Sequence, residues 1–231
     1  MSQFAIPKAT VKQAMAADTP RTRISPREAA QWVARELRSA GYEAFFAGGC
    51  VRDHLLGVEP EDFDVATSAR PGQIQEAFPR AFGVGAAFGV MLVPKGGRQV
   101  EVATFRSDGP YHDARHPSHV TFATAEIDAQ RRDFTVNGLF QDPDTHEIID
   151  FVKGLADIEQ RTLRAIGDPT ARFREDHLRM LRAARFAARY ELTIDPDTAT
   201  AIAGNISGLA GISRERIGQE LRRMLAERHR M

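Results

Sequence analysis

Two aspartates separated by one residue, Asp62 and Asp64, constrain this chain most strongly. In Asp62-Phe63-Asp64-Val65 the polar and apolar residues alternate, which predicts a β-strand over residues 63–66. Side chains along a strand alternate between its two faces, so we expect both carboxylates on one face and Phe63 and Val65 in a core. Two carboxylates this close repel each other unless a cation lies between them, and Mg²⁺ prefers such hard oxygen ligands. A strand end with solvated acidic residues is the alternative for this motif alone.

A glycine pair precedes the aspartates. Residues 43–47 predict a short buried strand, Gly48 and Gly49 follow it, and a helix is expected over residues 51–56. Glycine lets backbone N–H groups approach an anion, and a helix N-terminus adds partial positive charge. Arg52, in the first helical turn, is expected to reach the same phosphates. This order predicts a triphosphate site beside a metal site, although most such glycine pairs are only turns.

A third carboxylate follows in Val100-Glu101-Val102. The two valines indicate the core face of a strand, which leaves Glu101 on the opposite face. Phosphoryl transfer by two metal ions uses a third carboxylate of this kind to hold the metal that activates the attacking hydroxyl group. We therefore predict a metal site formed by Asp62, Asp64 and Glu101, with an ordinary exposed glutamate as the alternative.

The remaining pattern predicts a mixed α/β region followed by an α-helical one. Ser25-Pro26 begins a helix with a capping hydroxyl and a first-turn proline, and Gly96-Gly97 predicts a hairpin turn between two strands. Further elements are expected as a helix over 71–78, a helix over 126–139 and a strand over 148–151. The sequence thus indicates an α+β fold with a head domain over residues 23–154, preceded by a flexible lead-in over residues 1–22.

From residue 155 onward only helices are expected, which defines a helical neck domain over residues 155–231. One long helix is predicted from Asp168-Pro169 to about Tyr190, and others begin at Asp195-Pro196 and Ser213. The two regions differ in charge: residues 1–150 hold 16 Lys and Arg against 20 Asp and Glu, and residues 151–231 hold 15 against 11. The basic neck favours contact with phosphates and bases, since nearly all of its cations are arginine.

The chain contains one cysteine, Cys50, which excludes an internal disulfide and fits a reducing cytoplasm. We expect Cys50 to pack beside the glycine pair. No apolar run approaches the ~20 residues of a membrane span, so no membrane association is expected.

Several motifs in series resemble the class II tRNA nucleotidyltransferases, the CCA-adding enzymes, which belong to the polymerase β-like nucleotidyltransferase superfamily. The first is Gly48-Gly49-Cys50-Val51-Arg52-Asp53-His54-Leu55-Leu56-Gly57 with Asp62-Phe63-Asp64, an opening that bacterial poly(A) polymerases share. The second is Arg131-Arg132-Asp133-Phe134-Thr135-Val136-Asn137-Gly138. The others cover residues 154–158, 164–169, 175–186, 212–217 and 220–221. The resemblance extends over residues 45–225.

The resemblance implies a nucleotidyltransferase that adds CMP and AMP from CTP and ATP to the 3′ end of tRNA, with two Mg²⁺ ions held by Asp62, Asp64 and Glu101. It also implies nucleotide contacts in the two later motifs. The predicted nucleotide-binding residues are Gly48, Gly49, Arg52, Arg132, Asp133, Asn137, Asp176, Arg179, Arg182 and Arg185. Asp176 accepts and Arg179 donates hydrogen bonds, so this pair can present a complementary edge to a base.

Two of these roles stay open at the level of sequence. Residues at successive i+3 steps turn about 60° around a helix, so Asp176 and Arg185 are expected on opposite sides of the long helix. Asn137 either orients Asp133 or caps a helix. Residues 111–117 resemble the loop that CCA-adding enzymes use when they switch from cytosine to adenine, which favours CCA or terminal A addition.

Two alternatives to CCA addition remain. One is a poly(A) polymerase or an enzyme that adds only A, although residues 87–91 lack the basic motif associated with poly(A) polymerases. The other is a catalytically inactive module that binds nucleotide or RNA. Family members usually continue for more than a hundred residues as helical body and tail domains that bind tRNA, so the grip on tRNA is expected from a separate or missing part.

Overall fold

The computed structural model describes residues 24–85, 88–111 and 118–226. The expected lead-in, residues 1–22, and most of the histidine-containing loop, residues 112–117, lie outside these ranges. The described residues combine a mixed β-sheet with flanking helices, followed by a helical region, which confirms the α+β fold class. None of their helices has the length and apolar character needed to cross a membrane.

The first region contains most of the strands. Its elements, in chain order, are α1 (Pro26–Ser39), β1 (Ala44–Ala47), α2 (Gly49–Leu55), β2 (Asp64–Thr67), α3 (Pro71–Ala77), β3 (Phe82–Gly85), β4 (Val90–Lys95), β5 (Arg98–Thr104), β6 (Arg106–Asp108), β7 (Val120–Phe122), α4 (Ala125–Gln130), a 3₁₀ turn (Thr135–Asn137), β8 (Leu139–Gln141) and β9 (Ile148–Asp150).

The second region is mainly helical. It comprises α5 (Gly154–Glu159), β10 (Thr162–Leu163), α6 (Pro169–Glu175), α7 (Leu178–Tyr190), β11 (Thr193–Ile194), α8 (Pro196–Asn205), a 3₁₀ helix (Ile206–Gly211) and α9 (Arg214–Ala226).

Seven strands form one sheet in the order β3-β4-β5-β2-β1-β8-β9. The pair β2 and β5 is parallel, with Val65 opposite Val102, and the other neighbours are antiparallel. Val65 and Val102 are fully buried on the face that α1 covers. Residues one step before them therefore point to the opposite face, as the alternation in the sequence predicts.

Several expected elements form as the sequence indicates. Ser25 and Glu28 make a capping box at the start of α1, and Gly96 and Gly97 adopt positive φ in the hairpin turn between β4 and β5. Cys50 is buried against the main core, and its Sγ–H donates to the Ala47 carbonyl at 3.4 Å. This cysteine is a packing residue beside the glycine pair, as expected.

The prediction of a helix over residues 126–139 is wrong beyond residue 130, where α4 ends. The chain turns extended at Phe134, which bridges Ala165, and the Thr135 N–H donates to the Arg164 carbonyl at 2.9 Å. Thr135, Val136, Asn137 and Gly138 are poor helix formers, so pairing with the later segment prevails over the helical pattern.

The long helix expected from residue 169 to residue 190 is also wrong, because the chain breaks at Asp176. Its backbone is extended (φ −150°, ψ 103°), and its carboxylate accepts the Leu178 N–H at 3.0 Å at the start of α7. Aspartate favours such a capping position over a helix interior. The expectation of helices alone after residue 155 fails as well, since β10 and β11 pair in parallel.

The strand expected over residues 63–66 begins one residue later, at Asp64. Asp62 lies before the strand rather than within it. Phe63 still packs inward, with its ring 5.2 Å from that of Phe46. The short strands β3, β6, β7, β8, β10 and β11 were not expected from the sequence.

Candidate active site

A cavity of about 710 Å³ lies between the face of the sheet and the helices of the second region. All the predicted site residues except Asp62 line it. They arrive from separate elements: the β1–α2 junction, β2, β5, the 3₁₀ turn and the α6–α7 corner. The fold therefore brings together residues that lie up to about 140 positions apart in the sequence.

The acidic wall of the cavity is formed by Asp64 and Glu101. Each stands one residue before the paired Val65 and Val102, so the two carboxylates occupy neighbouring positions on adjacent parallel strands, which lie about 4.8 Å apart. Asp64 is also paired with Ala47, the residue immediately before the glycine pair. The acidic wall and the glycine pair are thus direct neighbours.

These carboxylates disturb one another electrostatically. Burial, with the nearby charges of Glu101 and Asp62, raises the pKa of Asp64 to about 7 against the attraction of Arg132. Burial and the charge of Asp62 also raise the pKa of Glu101. A second negative charge close by disfavours ionisation, so a cation among these groups would stabilise all three carboxylates.

The donor chemistry fits Mg²⁺ in part. Among residues 24–85, 88–111 and 118–226 no three His, Cys, Asp or Glu side chains form a ready metal-binding cluster. Mg²⁺, however, is commonly bound through one or two carboxylates while substrate phosphates and waters complete its shell. Asp64 and Glu101, with Asp62 nearby, supply oxygen ligands of that kind.

The glycine pair forms the floor of the cavity beside Arg132. Gly48 has φ 66° and ψ −116°, a conformation that favours glycine, and an added Cβ would lie 3.0 Å from Arg132 Nη1. Arg132 in turn pairs with the buried Asp128 at 2.8 Å and donates to the Asn137 carbonyl at 3.1 Å. Glycine at this position therefore allows the guanidinium group of Arg132 to lie against the glycine pair.

Asn137 orients Asp133, which resolves the choice that the sequence left open. Asn137 Nδ2 donates to Asp133 Oδ1 at 2.9 Å, and Arg182 Nε donates to Asp133 Oδ2 at 2.8 Å. Burial alone would raise the pKa of Asp133, but the charge of Arg182 and the hydrogen bonds from Asn137, Arg182 and the Phe134 N–H lower it to about 2. Asp133 is therefore held ionised at the cavity wall.

Asp176 and Arg185 both line the cavity, contrary to the expectation that they lie on opposite sides of one helix. The break at Asp176 removes it from the helical register of α7, which explains the difference. Asp176 Oδ2 accepts from Arg216 Nη2 at 2.7 Å, and Arg185 Nε donates to Glu220 Oε2 at 2.7 Å. Both contacts tie α9 to the cavity wall.

Arg179 is almost fully buried, and its Nη1 lies 2.6 Å from Glu175 and 3.0 Å from the Arg172 carbonyl. Arg52 is buried too, and its guanidinium donates to Asp53, Asn137 and Tyr190. Its direct contact with phosphate stays a prediction.

Sequence reasoning missed several residues that line the cavity: Arg106, Arg131, Arg216, Glu220 and Arg223. Arg216 and Glu220 lie within the last quoted motif, which was the available signal for them. Nine arginines line the cavity against five carboxylates, so its interior favours a polyanionic ligand.

The sheet, the glycine pair and the helical wall match a polymerase head domain followed by a helical region. The chain belongs to the family described as "Poly A polymerase head domain", whose profile matches residues 44–164. A second profile, "Probable RNA and SrmB- binding site of polymerase A", matches residues 191–230.

More specifically, the chain resembles CCA-adding enzymes, which confirms the family resemblance in the sequence. That of Lactiplantibacillus plantarum is 43% identical over 203 residues, covering 87% of this chain and 50% of that protein. The Bacillus stearothermophilus CCA-adding enzyme in complex with CTP has a TM-score of 0.80 at 39% identity, covering 87% of this chain and 49% of that one.

A tRNA nucleotidyltransferase complexed with a primer tRNA and an incoming ATP analog has a TM-score of 0.69 at 28% identity, covering 84% of this chain and 57% of that one. The chain spans about half the length of the curated relatives it matches.

Proposed function

We propose that this chain carries the catalytic part of a tRNA nucleotidyltransferase that adds CMP and AMP, from CTP and ATP, to the 3′ end of tRNA. One observation carries the proposal: a single cavity joins the Asp64–Glu101 wall to the glycine pair and an arginine-rich helical wall. Kinship with CCA-adding enzymes, one of them in complex with CTP, supports the choice of substrate.

The chain's own residues position the triphosphate. Gly48 and Gly49 line the cavity beside Arg132, and the Gly48 N–H donates to the Leu139 carbonyl at 3.2 Å. Phosphate oxygens would therefore find the start of α2 and the positive charge of Arg132 there. We propose that the α-phosphate and the RNA 3′-hydroxyl group meet beside the carboxylates of Asp64 and Glu101, which line the same cavity. Pyrophosphate is the leaving group of this transfer.

Two Mg²⁺ ions would be held by Asp62, Asp64 and Glu101 together with the substrate phosphates. Bound there, they would supply neutralisation of the triphosphate charge and a lowered pKa of the RNA 3′-hydroxyl group. The raised pKa of Asp64 supports this role, because a bound cation would offset the desolvation and the carboxylate repulsion that raise it.

The α6–α7 corner selects the base. Asp176 offers a carboxylate acceptor and Arg179 a guanidinium donor, a combination that suits the Watson–Crick edges of both cytosine and adenine. Arg182 and Arg185 extend the same wall. The single buried Cys50 fits a reducing compartment, and we place the activity in the cytoplasm.

A nucleotide-resolved extension assay tests the proposal. tRNA ending before, within and after CCA is offered with CTP alone, ATP alone or both, in the presence of Mg²⁺. We expect two CMP additions with CTP alone, and a terminal AMP once both cytidines are present. The tRNA concentration is varied widely, because the chain spans about half the length of the curated relatives it matches.

Other outcomes of this assay are equally clear. Repeated AMP addition would indicate a poly(A) polymerase, and a single AMP on tRNA that already ends in CC would indicate an enzyme that adds only A. Nucleotide binding with zero incorporation at high enzyme concentration would contradict the proposal and favour an inactive nucleotide-binding or RNA-binding module.

A further inference from the structure

Tyr190, the last residue of α7, reaches from the helical region into the head. It is buried, and its ring stacks obliquely near Phe186 with centroids 6.2 Å apart. Its hydroxyl group accepts a hydrogen bond from Arg52 Nη2 at 2.6 Å and donates one to Asp53 Oδ1 at 2.8 Å. A single hydroxyl group thus bridges the cation and the anion of the helix that follows the glycine pair.

Arg52 is enclosed by this arrangement. Its guanidinium carbon lies 4.4 Å from the ring centroid of Tyr190 and 4.9 Å from that of Phe186, both on α7. Its Nε and Nη2 donate to Asp53, and Nη1 donates to Asn137 Oδ1 at 2.6 Å. Four hydrogen bonds hold this group, which is 7% exposed, so Arg52 connects the two regions.

The hydrogen bonds continue back to α7. Asn137 donates to Asp133, and Asp133 accepts from Arg182, which lies on α7 itself. Tyr190 and Arg182 are eight positions apart, a span of about 12 Å along a helix. Two attachments at that separation fix both the tilt and the rotation of α7 relative to the head, which one attachment cannot do.

We propose that Tyr190 is a positioning residue: through Arg52 and Asp53 its hydroxyl group sets the orientation of α7, and so of the cavity arginines on it, for nucleotide binding. The proposal rests on the proposed function, whose incoming nucleotide must contact Arg179, Arg182 and Arg185 at once. Preorganised donors lose less conformational freedom when the nucleotide binds, so their orientation contributes directly to affinity.

The chemistry of the hydroxyl group supports this role. Burial and the hydrogen bond to Asp53 raise the pKa of Tyr190 to about 12, against the attraction of Arg52. Its proton therefore stays in place at neutral pH, where the group both donates and accepts. Phenylalanine keeps the ring contacts with Arg52 and Phe186 but can make neither hydrogen bond.

The test compares Tyr190→Phe with Tyr42→Phe, a control at a half-buried tyrosine that does not line the cavity. For Tyr190→Phe we expect the KM for CTP and ATP to rise about tenfold, since both hydrogen bonds of the hydroxyl group to charged side chains are lost. The kcat should stay within about twofold of the wild type, because the substitution weakens binding of the nucleotide in the ground state and in the transition state by the same factor. Tyr42→Phe should match the wild type in both constants.

Equilibrium binding of CTP, measured by calorimetry, provides a readout that does not need turnover. Its Kd should rise in Tyr190→Phe by the same factor as KM, with circular dichroism confirming a folded protein. Asp53→Asn, which keeps the side-chain shape, should shift the Kd in the same direction. An unchanged Kd in folded Tyr190→Phe, or an equal shift in Tyr42→Phe, would overturn the inference. If the wild type incorporates no nucleotide, the proposed function is refuted. The comparison of Kd values for CTP would still decide whether Tyr190 positions α7.

Discussion

Asp64 and Glu101 stand side by side on the parallel strands β2 and β5, each one residue before the paired Val65 and Val102. This register places two carboxylates on the cavity side while the valines pack into the core on the other. The raised pKa of both acids shows that the arrangement is electrostatically unfavourable in the absence of a cation. Carboxyl groups with raised pKa values in one cavity are typical of a functional site rather than of a site selected for stability.

Gly48→Ala should impair nucleotide incorporation by about tenfold or more and destabilise the fold by about 1–3 kcal/mol. The positive φ of Gly48 is strained for alanine, and the added Cβ would lie 3.0 Å from Arg132 Nη1, which must shift to make room. Gly57→Ala is the matched control, because Gly57 also has positive φ (74°) but faces open space. Equal loss of incorporation in both variants would show that strain alone matters.

Arg182→Ala should lower the free energy of unfolding by about 2–4 kcal/mol at pH 7, because it leaves a buried carboxylate unpaired. The pKa of Asp133 lies near 2 in the folded protein and near 3.8 ordinarily. Its ion pair therefore stabilises the fold above pH 3.8, and that contribution is lost as the pH falls toward 2.

Denaturant unfolding at pH 7 and pH 3 measures this difference, with Arg174→Ala at an exposed position of α6 as the control. The gap between Arg182→Ala and the wild type should be smaller at pH 3. A gap that does not change with pH would indicate that Arg182 stabilises the fold through packing instead.

Glu220→Ala should be one of the most destabilising substitutions in α9, at about 3–5 kcal/mol. Glu220 is 2% exposed and accepts from Arg185 at 2.7 Å and from Arg223 at 2.8 Å, so its removal leaves Arg185 buried without this partner. Chemical denaturation measures the loss. Glu215→Ala, at an exposed position of the same helix, should change stability by less than about 0.5 kcal/mol, and similar losses in the two variants would contradict the assignment.

Arg216→Ala should raise the KM for CTP and ATP by about tenfold with little change in kcat, since a charge-assisted hydrogen bond is lost. Arg216 holds Asp176 Oδ2 at 2.7 Å, so without it the proposed base-reading carboxylate is less well ordered. Steady-state kinetics with each nucleotide measures the effect, and Arg222→Ala, at an exposed position on α9, should behave as the wild type. A lower KM would mean instead that Arg216 competes with the nucleotide for Asp176.

The sequence predicts those parts of the fold that local chemistry determines. The capping box at Ser25 and Glu28, the glycine turn before β5 and the caps at Asp168 and Asp195 all form where the residue types indicate. The burial of Val65 and Val102 likewise follows from strand alternation, which also placed Glu101 on the cavity side.

The parts of the fold that the sequence did not predict depend on contacts between residues that are distant along the chain. Phe134 is extended rather than helical because it pairs with Ala165. Asp176 interrupts the predicted long helix because Arg216 and the Leu178 N–H bind its carboxylate. The proposed role of Tyr190 has no sequence signal, since its hydrogen-bond partners lie about 137 positions away. Local periodicity contains no information on such pairings.

The most direct test of the account is the single-turnover rate of CMP incorporation by Asp64→Asn on tRNA that lacks its terminal CCA. Asparagine keeps the shape of Asp64 but removes the charge that the cavity concentrates beside Glu101, and Glu59→Gln at an exposed position is the control. The account predicts a loss of about 10³-fold in Asp64→Asn, a wild-type rate in Glu59→Gln, and an unchanged or higher Tm as repulsion is relieved. Incorporation by folded Asp64→Asn within about tenfold of the wild type would contradict it.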